Sequence, residues 1–370
     1  MTSIVRGIDA IAVRVPLREQ TSFSTRAVLH RDYVLVTITD ADGAQGIGYT
    51  YAGTTSGPWV REAVRSLIAP LLVGRDADDV KRNWELVYRT FLLEGRRGAF
   101  IRALSAVDIA AWDLRGVRAG MPLRRLLGGT VDEVAAYASG GYYRDGDPLE
   151  NVTREVERYR QLGFVDYKMK VGRDPSLDVA RIAAAREALG PAGRIALDAN
   201  NAWNSVEESL TVIRRYAEHD IWWVEEPLLP DDVRGHAELV RRSPITIATG
   251  EIEATRWGFA PIFREGAAEI IQPDAGVAGG ITEWLTIAAT AESFGVPVAP
   301  HWHANLHAQL SAATPGCITV EYFALDEDIY NFEALVADPL AIRDGRIVLP
   351  NTPGNGVALD PDAVARFTLD

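Results

Sequence analysis

From residue 129 to about residue 325 the chain alternates eight short apolar runs with amphipathic stretches, and few architectures accommodate that alternation. The runs are VAAYAS, VDYKMKV, RIALDAN, WWVEEP, ITIATGE, EIIQPDAG, VPVAPH and ITVEYF. Between them lie helical patterns such as LENVTREVERYRQLG and SLDVARIAAAREALG, several closed by a glycine, as helix ends commonly are. Near-continuous apolar strands separated by helices indicate an α/β fold with a parallel sheet covered by helices. Eight such units fit a closed TIM-type barrel. The repetition is one of architecture, because the units share no sequence.

The segment before the barrel has a different texture. Residues 4–15, 33–39 and 45–51 read as strands rich in Val, Ile and Tyr, forming an antiparallel meander with the turn ADGAQG between the second and third. Helical patterns follow near 57–72, 77–94 and 97–118, the last carrying Leu104, Val107, Ala111 and Leu114 at helical spacing. Two polar loops, EQTSFSTR and GYTYAGTTSGP, connect these pieces and are candidates for function. The glycines of GIGYTYAG lack the strand, turn and helix of a parallel nucleotide-binding unit, so no such site is assigned. After residue 326 the Pro- and Gly-rich LPNTPGNGVALDP is expected to pack back on the first segment. The expected division is therefore 1–128, an α+β unit; 129–325, the barrel; and 326–370, a C-terminal segment.

A chain of 370 residues is long for one core, which suits that division. Its net charge of −13 argues against nucleic acid or an anionic membrane as the main partner. An anionic small molecule remains compatible, provided a metal or local lysines offset its charge. Arg6 and Asp9 interrupt any signal-peptide core, and no apolar run approaches the roughly 18 residues of a membrane helix. The single cysteine, Cys317, has apolar neighbours and reads as a packing residue, and a cytoplasmic location is expected.

In a parallel barrel the active site lies at the C-terminal ends of the strands. The second run ends in Lys168 and Lys170, whose side chains share one face because strand side chains alternate. Two like charges on one wall favour a neutral amine able to act as a base, although a pair snorkelling to water fits the same spacing. The following runs end in Asp198 with Asn200, Glu225 with Glu226, Glu251, Asp274 and His301, and the eighth carries Glu321. So many carboxylates at one mouth would repel each other without a cation. Asp198, Glu225 and Glu251 come from neighbouring strands, and all-oxygen ligation suits Mg2+; salt bridges to the two lysines are the alternative. There is no Cys or His cluster of zinc-ligand spacing. Asp274 and His301 could form a carboxylate–imidazole dyad, or His301 could be structural.

The motifs YKMKVG, LDANNAW, WWVEEPL, ATGE, IIQPDAGVAGGIT, APHWHANLHAQLSAATP and VEYF, with AVDIAAWDLRG and LRRLLGG upstream, resemble the enolase superfamily and, within it, the mandelate racemase subgroup. The resemblance covers essentially the whole chain. It implies an N-terminal α+β capping domain on a modified (β/α)7β barrel, and removal of the proton next to a carboxylate with Mg2+ stabilising the enediolate. It further implies Asp198, Glu225 and Glu251 as metal ligands and Lys170 as base on one face, its pKa depressed by Lys168. On the other face it implies His301 oriented by Asp274, with a protonated Glu321 donating to the enediolate oxygen. Muconate-type cycloisomerases of the family carry a lysine on the sixth strand where this chain has Asp274, which disfavours that reaction.

Racemisation and dehydration both fit the layout. Thr21, Ser22, Ser24, Thr25 and Arg26 offer hydrogen bonds to a polyhydroxylated acid and favour a sugar-acid dehydratase, with Tyr51, Asn200 and His303 as further substrate contacts. Phe23, Trp302, Tyr49 and Tyr51 weigh toward a racemase of an aryl hydroxy acid. His307, on a helical pattern, reads as structural. A Schiff-base aldolase and a non-catalytic metal-binding barrel are the readings from other classes. The expected partner is a small-molecule carboxylate, and the expected assembly is a homo-oligomer between dimer and octamer.

Overall fold

The computed structural model describes residues 3–370. Strands β1 (Val5–Ser22), β2 (Ala27–Asp40) and β3 (Gln45–Tyr51) form an antiparallel sheet in that order. Helix Ala99–Ala119 packs on it directly, since a side chain at Gly46 or Gly48 would collide with the carbonyls of Ala110 and Ala106. Half of the polar stretch EQTSFSTR, expected as a loop, is strand. β1 runs on to Ser22, with a register irregularity after Pro16, and only Phe23–Arg26 remain as the connection. The reason is a long-range partner. The Ser22 N–H donates to the Tyr143 carbonyl at 3.0 Å and the Tyr143 N–H donates back at 2.8 Å, so a loop of the barrel holds the strand tip.

The barrel strands are β4 (Glu133–Gly140), β5 (Asp166–Lys170), β6 (Arg194–Asp198), β7 (Ile221–Glu225), β8 (Thr246–Thr249) and β9 (Ile270–Ile271), each pairing in parallel with the next. The seventh apolar run, VPVAPH, forms no strand. Pro297 and Pro300 lack backbone N–H groups, and Val298 alone bridges Ile271 on one side and Cys317 on the other. The Ala299 N–H donates to Ile271 at 2.9 Å and the Ile318 N–H to Val298 at 2.9 Å. β10 (Val320–Tyr322) then pairs in parallel with β4, so the backbone circuit returns to its first strand. The sixth run is also short as a strand, and Asp274 lies beyond it, capping helix Ala275–Ala278 through the Gly276 N–H.

The C-terminal segment divides between the two units. Its hairpin, β11 (Ala341–Arg343) and β12 (Arg346–Val348), adds antiparallel to β4. Other parts bond to the N-terminal sheet: Asn331 Nδ2 donates to Val15 at 2.9 Å and the Leu369 N–H to Ala12 at 2.8 Å. Among the described residues no helix is long and apolar enough to cross a membrane.

The seam between cap and barrel holds a buried charge. Asp108, on helix Ala99–Ala119, accepts from the Thr282 N–H at 2.9 Å and from its Oγ1 at 2.6 Å. Burial pushes its carboxyl up to about 7 from the ordinary 3.8, partly opposed by those hydrogen bonds. Between these two values the unfolded chain has released a proton that the folded protein retains, so this group's contribution to stability falls as pH rises through that window. Asp108→Asn, which keeps an acceptor but cannot ionise, should therefore gain on the wild type as pH rises from about 4 to about 7, by up to roughly 4 kcal/mol. Melting temperatures of both proteins across that range check this; a pH-independent difference would refute it.

Candidate active site

Five carboxylates and two ammonium groups meet at the C-terminal ends of β5 to β8 and β10, each buried or nearly so. Asp198 ends β6, Glu225 ends β7 and Glu251 follows β8. One carboxylate oxygen of each lies within 4.8 Å of the others, as a shared cation requires. Lys168 and Lys170 project from one face of β5, as strand alternation predicts. Lys168 Nζ donates to Glu225 at 2.8 and 2.9 Å and pairs with Glu321 at 2.8 Å, while Lys170 Nζ pairs with Asp198. The strand-end acids thus both converge closely enough to share a cation and bridge the lysines.

The electrostatics show a site short of positive charge. Burial, and then the neighbouring acids against the pull of Lys168, push Glu225 up to about 8. Glu226 is raised further by burial and by Glu251, Asp198 and Glu225. Its backbone has φ 44°, a left-handed value, and neither of its buried carboxylate oxygens finds a hydrogen-bond partner. Glu251 Oε2 and Asn200 Oδ1 are likewise without partners. Buried acceptors with nothing to accept from are expensive, and a hard divalent cation satisfies such a donor set. The residues present fit that group.

His301 stands at the other end of the triad. Its Nε2 lies 3.5 Å from Glu251 Oε2, too poorly aimed for a hydrogen bond, and its Nδ1 lies 3.2 Å from Asp274 Oδ2. Burial opposes its charge, but Glu251 and Asp274 outweigh burial and hold the imidazole up to about 9. Asp274 is kept ionised despite burial by the histidines around it.

The protein's own charged groups, taken without a cation, work against two of the expected protonation states. Lys170 was expected with a depressed pKa. Burial and Lys168 do act in that direction, but Asp198 is in direct contact and raises it instead. Glu321 was expected to be protonated. Burial favours that, yet Lys168, His301 and Lys170 together lower it to about 2. As a carboxylate it accepts from Ser139 Oγ at 2.7 Å and from the Trp302 N–H at 2.7 Å.

The expected substrate contacts separate. Ser24 Oγ donates to the Ala199 carbonyl at 2.6 Å, bringing the Phe23–Arg26 turn over the strand end that carries Asp198 and Asn200. Phe23 packs edge-on against Tyr142, whose ring lies 5.0 Å from Lys170 Nζ, and exposed Arg26 stacks on Phe23. Tyr51 is half-buried against Trp302, the residue next to His301. Thr21 lines a different cavity, of about 290 Å3, with Arg18, Arg144 and Asp326. His303 is not a substrate contact: it is fully buried, its Nε2 accepts from the Tyr51 N–H at 3.2 Å, and its Nδ1 meets the Tyr330 hydroxyl at 3.1 Å. It ties the cap to the barrel. His307 is structural, accepting from the Ala275 N–H at 3.0 Å. Sequence reasoning missed Ser139 and Gln272, which donates to Glu225 at 2.7 Å. Both stand at strand ends, so the rule that found the acids could have found them. Tyr142, on a loop, carried no signal.

Comparison with known proteins places the chain in a family. The chain matches the N-terminal domain of the mandelate racemase / muconate lactonizing enzyme family over residues 6–128 and the enolase C-terminal domain-like family over residues 151–363. It is 35% identical to the 3,6-anhydro-alpha-L-galactonate cycloisomerase of Streptomyces coelicolor, over 96% of this chain and 97% of that one. It is 33% identical to the arabinonate dehydratase of Saccharolobus solfataricus, over 89% and 88%. The crystal structure of the L-talarate dehydratase of Polaromonas sp. JS666, complexed with Mg and L-glucarate, superposes with a TM-score of 0.90 at 32% identity, covering 99% of this chain and 98% of that one.

A cation that binds the folded protein only should stabilise it. Titration with magnesium chloride to about 100 times its dissociation constant is expected to add roughly 2.7 kcal/mol of apparent stability, read as a rise in melting temperature. Glu251→Gln should remove most of that rise. A variant that responds to magnesium as the wild type does would exclude Glu251 as a ligand.

Proposed function

This chain belongs to the mandelate racemase / muconate lactonizing enzyme family of the enolase superfamily, and we propose that it is a Mg2+-dependent acid-sugar dehydratase, converting an aldonate or aldarate to its 2-keto-3-deoxy acid. The observation that carries the reading is the placing of Lys170 against Asp198 and His301 against Glu251, at two ends of one carboxylate triad. A carbon held at that triad has an amine on one flank and an imidazole on the other. Asp198, Glu225 and Glu251 would hold Mg2+, which would supply positive charge to offset the carboxylates and the charge developing on the substrate.

Lys168, fixed between Glu225 and Glu321, presents an ammonium to the substrate carboxylate and lowers the acidity barrier at the neighbouring carbon. Lys170 takes the α proton. Burial and Lys168 favour its neutral amine; Asp198, which otherwise holds its proton, would be engaged by the cation instead. His301, an imidazolium near neutral pH, gives its proton to the β oxygen as the C–O bond breaks. The α C–H pair becomes the new C=C bond, water departs, and the enol tautomerises to the keto acid. Glu321, ionised, holds Lys168 and the Trp302 N–H, which fixes the loop bearing His301.

The same flanking arrangement supports a second reading, in which the proton removed on one side is returned on the other and the product is the epimer. Similarity to a cycloisomerase fits the first reading as well, because a ring oxygen β to the carboxylate can leave in place of a hydroxyl.

Incubation with Mg2+ and a panel of aldonic, aldaric and aryl 2-hydroxy acids in deuterated water tests the proposal. A keto-deoxy product is expected for at least one sugar acid, and Lys170→Met should lower its formation by about 1000-fold. His301→Asn should stop elimination while α-proton exchange persists through Lys170. Deuterium in an epimer without keto acid would establish the second reading. Equal exchange of both stereoisomers by Lys170→Met would contradict the two-sided assignment.

A further inference from the structure

Arg31 is a buried cation for which the described residues offer no anion. It lies on β2 in the cap, is 3% exposed, and sits beneath Trp302, the neighbour of His301. Its Nε donates to the Ile329 carbonyl at 2.8 Å and its Nη1 to the Tyr51 hydroxyl at 3.3 Å, while Nη2 is buried without a partner. Its Cζ lies 4.6 Å from the ring centroid of Trp302 and 5.6 Å from that of Tyr51, and Trp302 in turn lies flat beside His301. The ionisable groups that favour its charge are phenols: Tyr51, Tyr142 and Tyr33. Elsewhere in the fold a buried arginine has its carboxylate, as Arg124 has Asp132 and Arg181 has Asp178.

A buried guanidinium surrounded by rings, with both N–H groups of its Nη2 unpartnered, is costly unless something brings it a negative charge. Its planar fork matches a carboxylate. The carboxylate next to the reacting carbon is already provided for by Lys168 and by the cation that the acidic triad would hold, which leaves Arg31 for a second one. We propose that Arg31 receives the distal carboxylate of the substrate, and hence that the acid sugar is a diacid. This rests on the dehydratase reading and narrows it. Of the rings around Arg31, only Tyr51 is half-buried, so a carboxylate arriving from the mouth meets the Tyr51 hydroxyl and Nη1 first.

The test compares aldarates with aldonates of matching stereochemistry on the Mg2+-loaded wild type, Arg31→Gln and Arg31→Lys. The wild type should prefer diacids in kcat/KM. In Arg31→Gln the ratio of diacid to monoacid kcat/KM should fall about 100-fold, mainly through KM, and Arg31→Lys should recover part of it. Calorimetric binding of unreactive dicarboxylates against matching monocarboxylates to the wild type gives a readout that needs neither turnover nor a folded variant. If sugar acids are dehydrated but neither kinetics nor binding favours diacids, the assignment of Arg31 is wrong and the dehydratase reading stands. If dicarboxylates bind preferentially but no sugar acid is dehydrated, the reaction is wrong and the assignment stands. Equal losses for both substrate classes in Arg31→Gln would make the residue structural.

Discussion

Charge compensation in a space with little water organises this protein's barrel mouth. Lys168 and Lys170 are buried on β5 and survive there because Glu225, Glu321 and Asp198 come to meet them from three other strands. Removing one partner of such a buried pair typically destabilises by about 3–5 kcal/mol, since the remaining charge is stranded. The compensation is incomplete, and the shortfall is local. The acids around Glu226 and Glu251 retain orphaned oxygens, whereas those around Lys168 are fully engaged. A fold that leaves negative charge unsatisfied in one place has in effect specified where a cation belongs.

The same accounting explains the division of labour between the two units. The barrel supplies the charged groups from strand ends, where the backbone is rigid and positions hold to fractions of an ångström. The cap supplies a roof of aromatic rings and hydrogen-bonding side chains: Phe23, Tyr51 and Arg31. The two halves are joined close to the chemistry. His303, two residues after His301, accepts from the backbone of Tyr51, and Thr50 Oγ1 donates to the Gly276 carbonyl at 2.6 Å. A further seam joins Asp108, on helix Ala99–Ala119, to Thr282 of the barrel. Movement of the cap relative to the barrel would therefore be felt first by the residues that face the substrate.

Much of the site was legible in the chain because strand ends in a parallel barrel are a positional code. Lys168 and Lys170 share a face by alternation alone, and Asp198, Glu225 and Glu251 fall at one level because each ends its own apolar run. What alternation cannot give is the sign of a pKa shift. Lys170 was read as depressed from its neighbour two residues away, but Asp198, 28 residues on, lies closer to its ammonium. A protonated Glu321 was what the family resemblance implied; burial favours it, and Lys168, His301 and Lys170 oppose it. His303 looked like a mouth residue because it follows His301 by two. A positive φ at Trp302, 70°, turns the backbone between them and sends the His303 ring into the interior.

The sequence by itself determined the order of strands and helices, the level at which the acids and bases stand, and the single face shared by the two lysines, because these follow from periodicity within short segments. Only the tertiary structure decided which charges touch, which histidine faces the mouth, and that the tip of β1 is strand rather than loop. Each of those depends on a partner far along the chain: Tyr143 for Ser22, Asp198 for Lys170, Tyr51 for His303. The sealing of Arg31 beneath Trp302 is of the same kind, since residues 31 and 302 have no relation until the cap closes on the barrel.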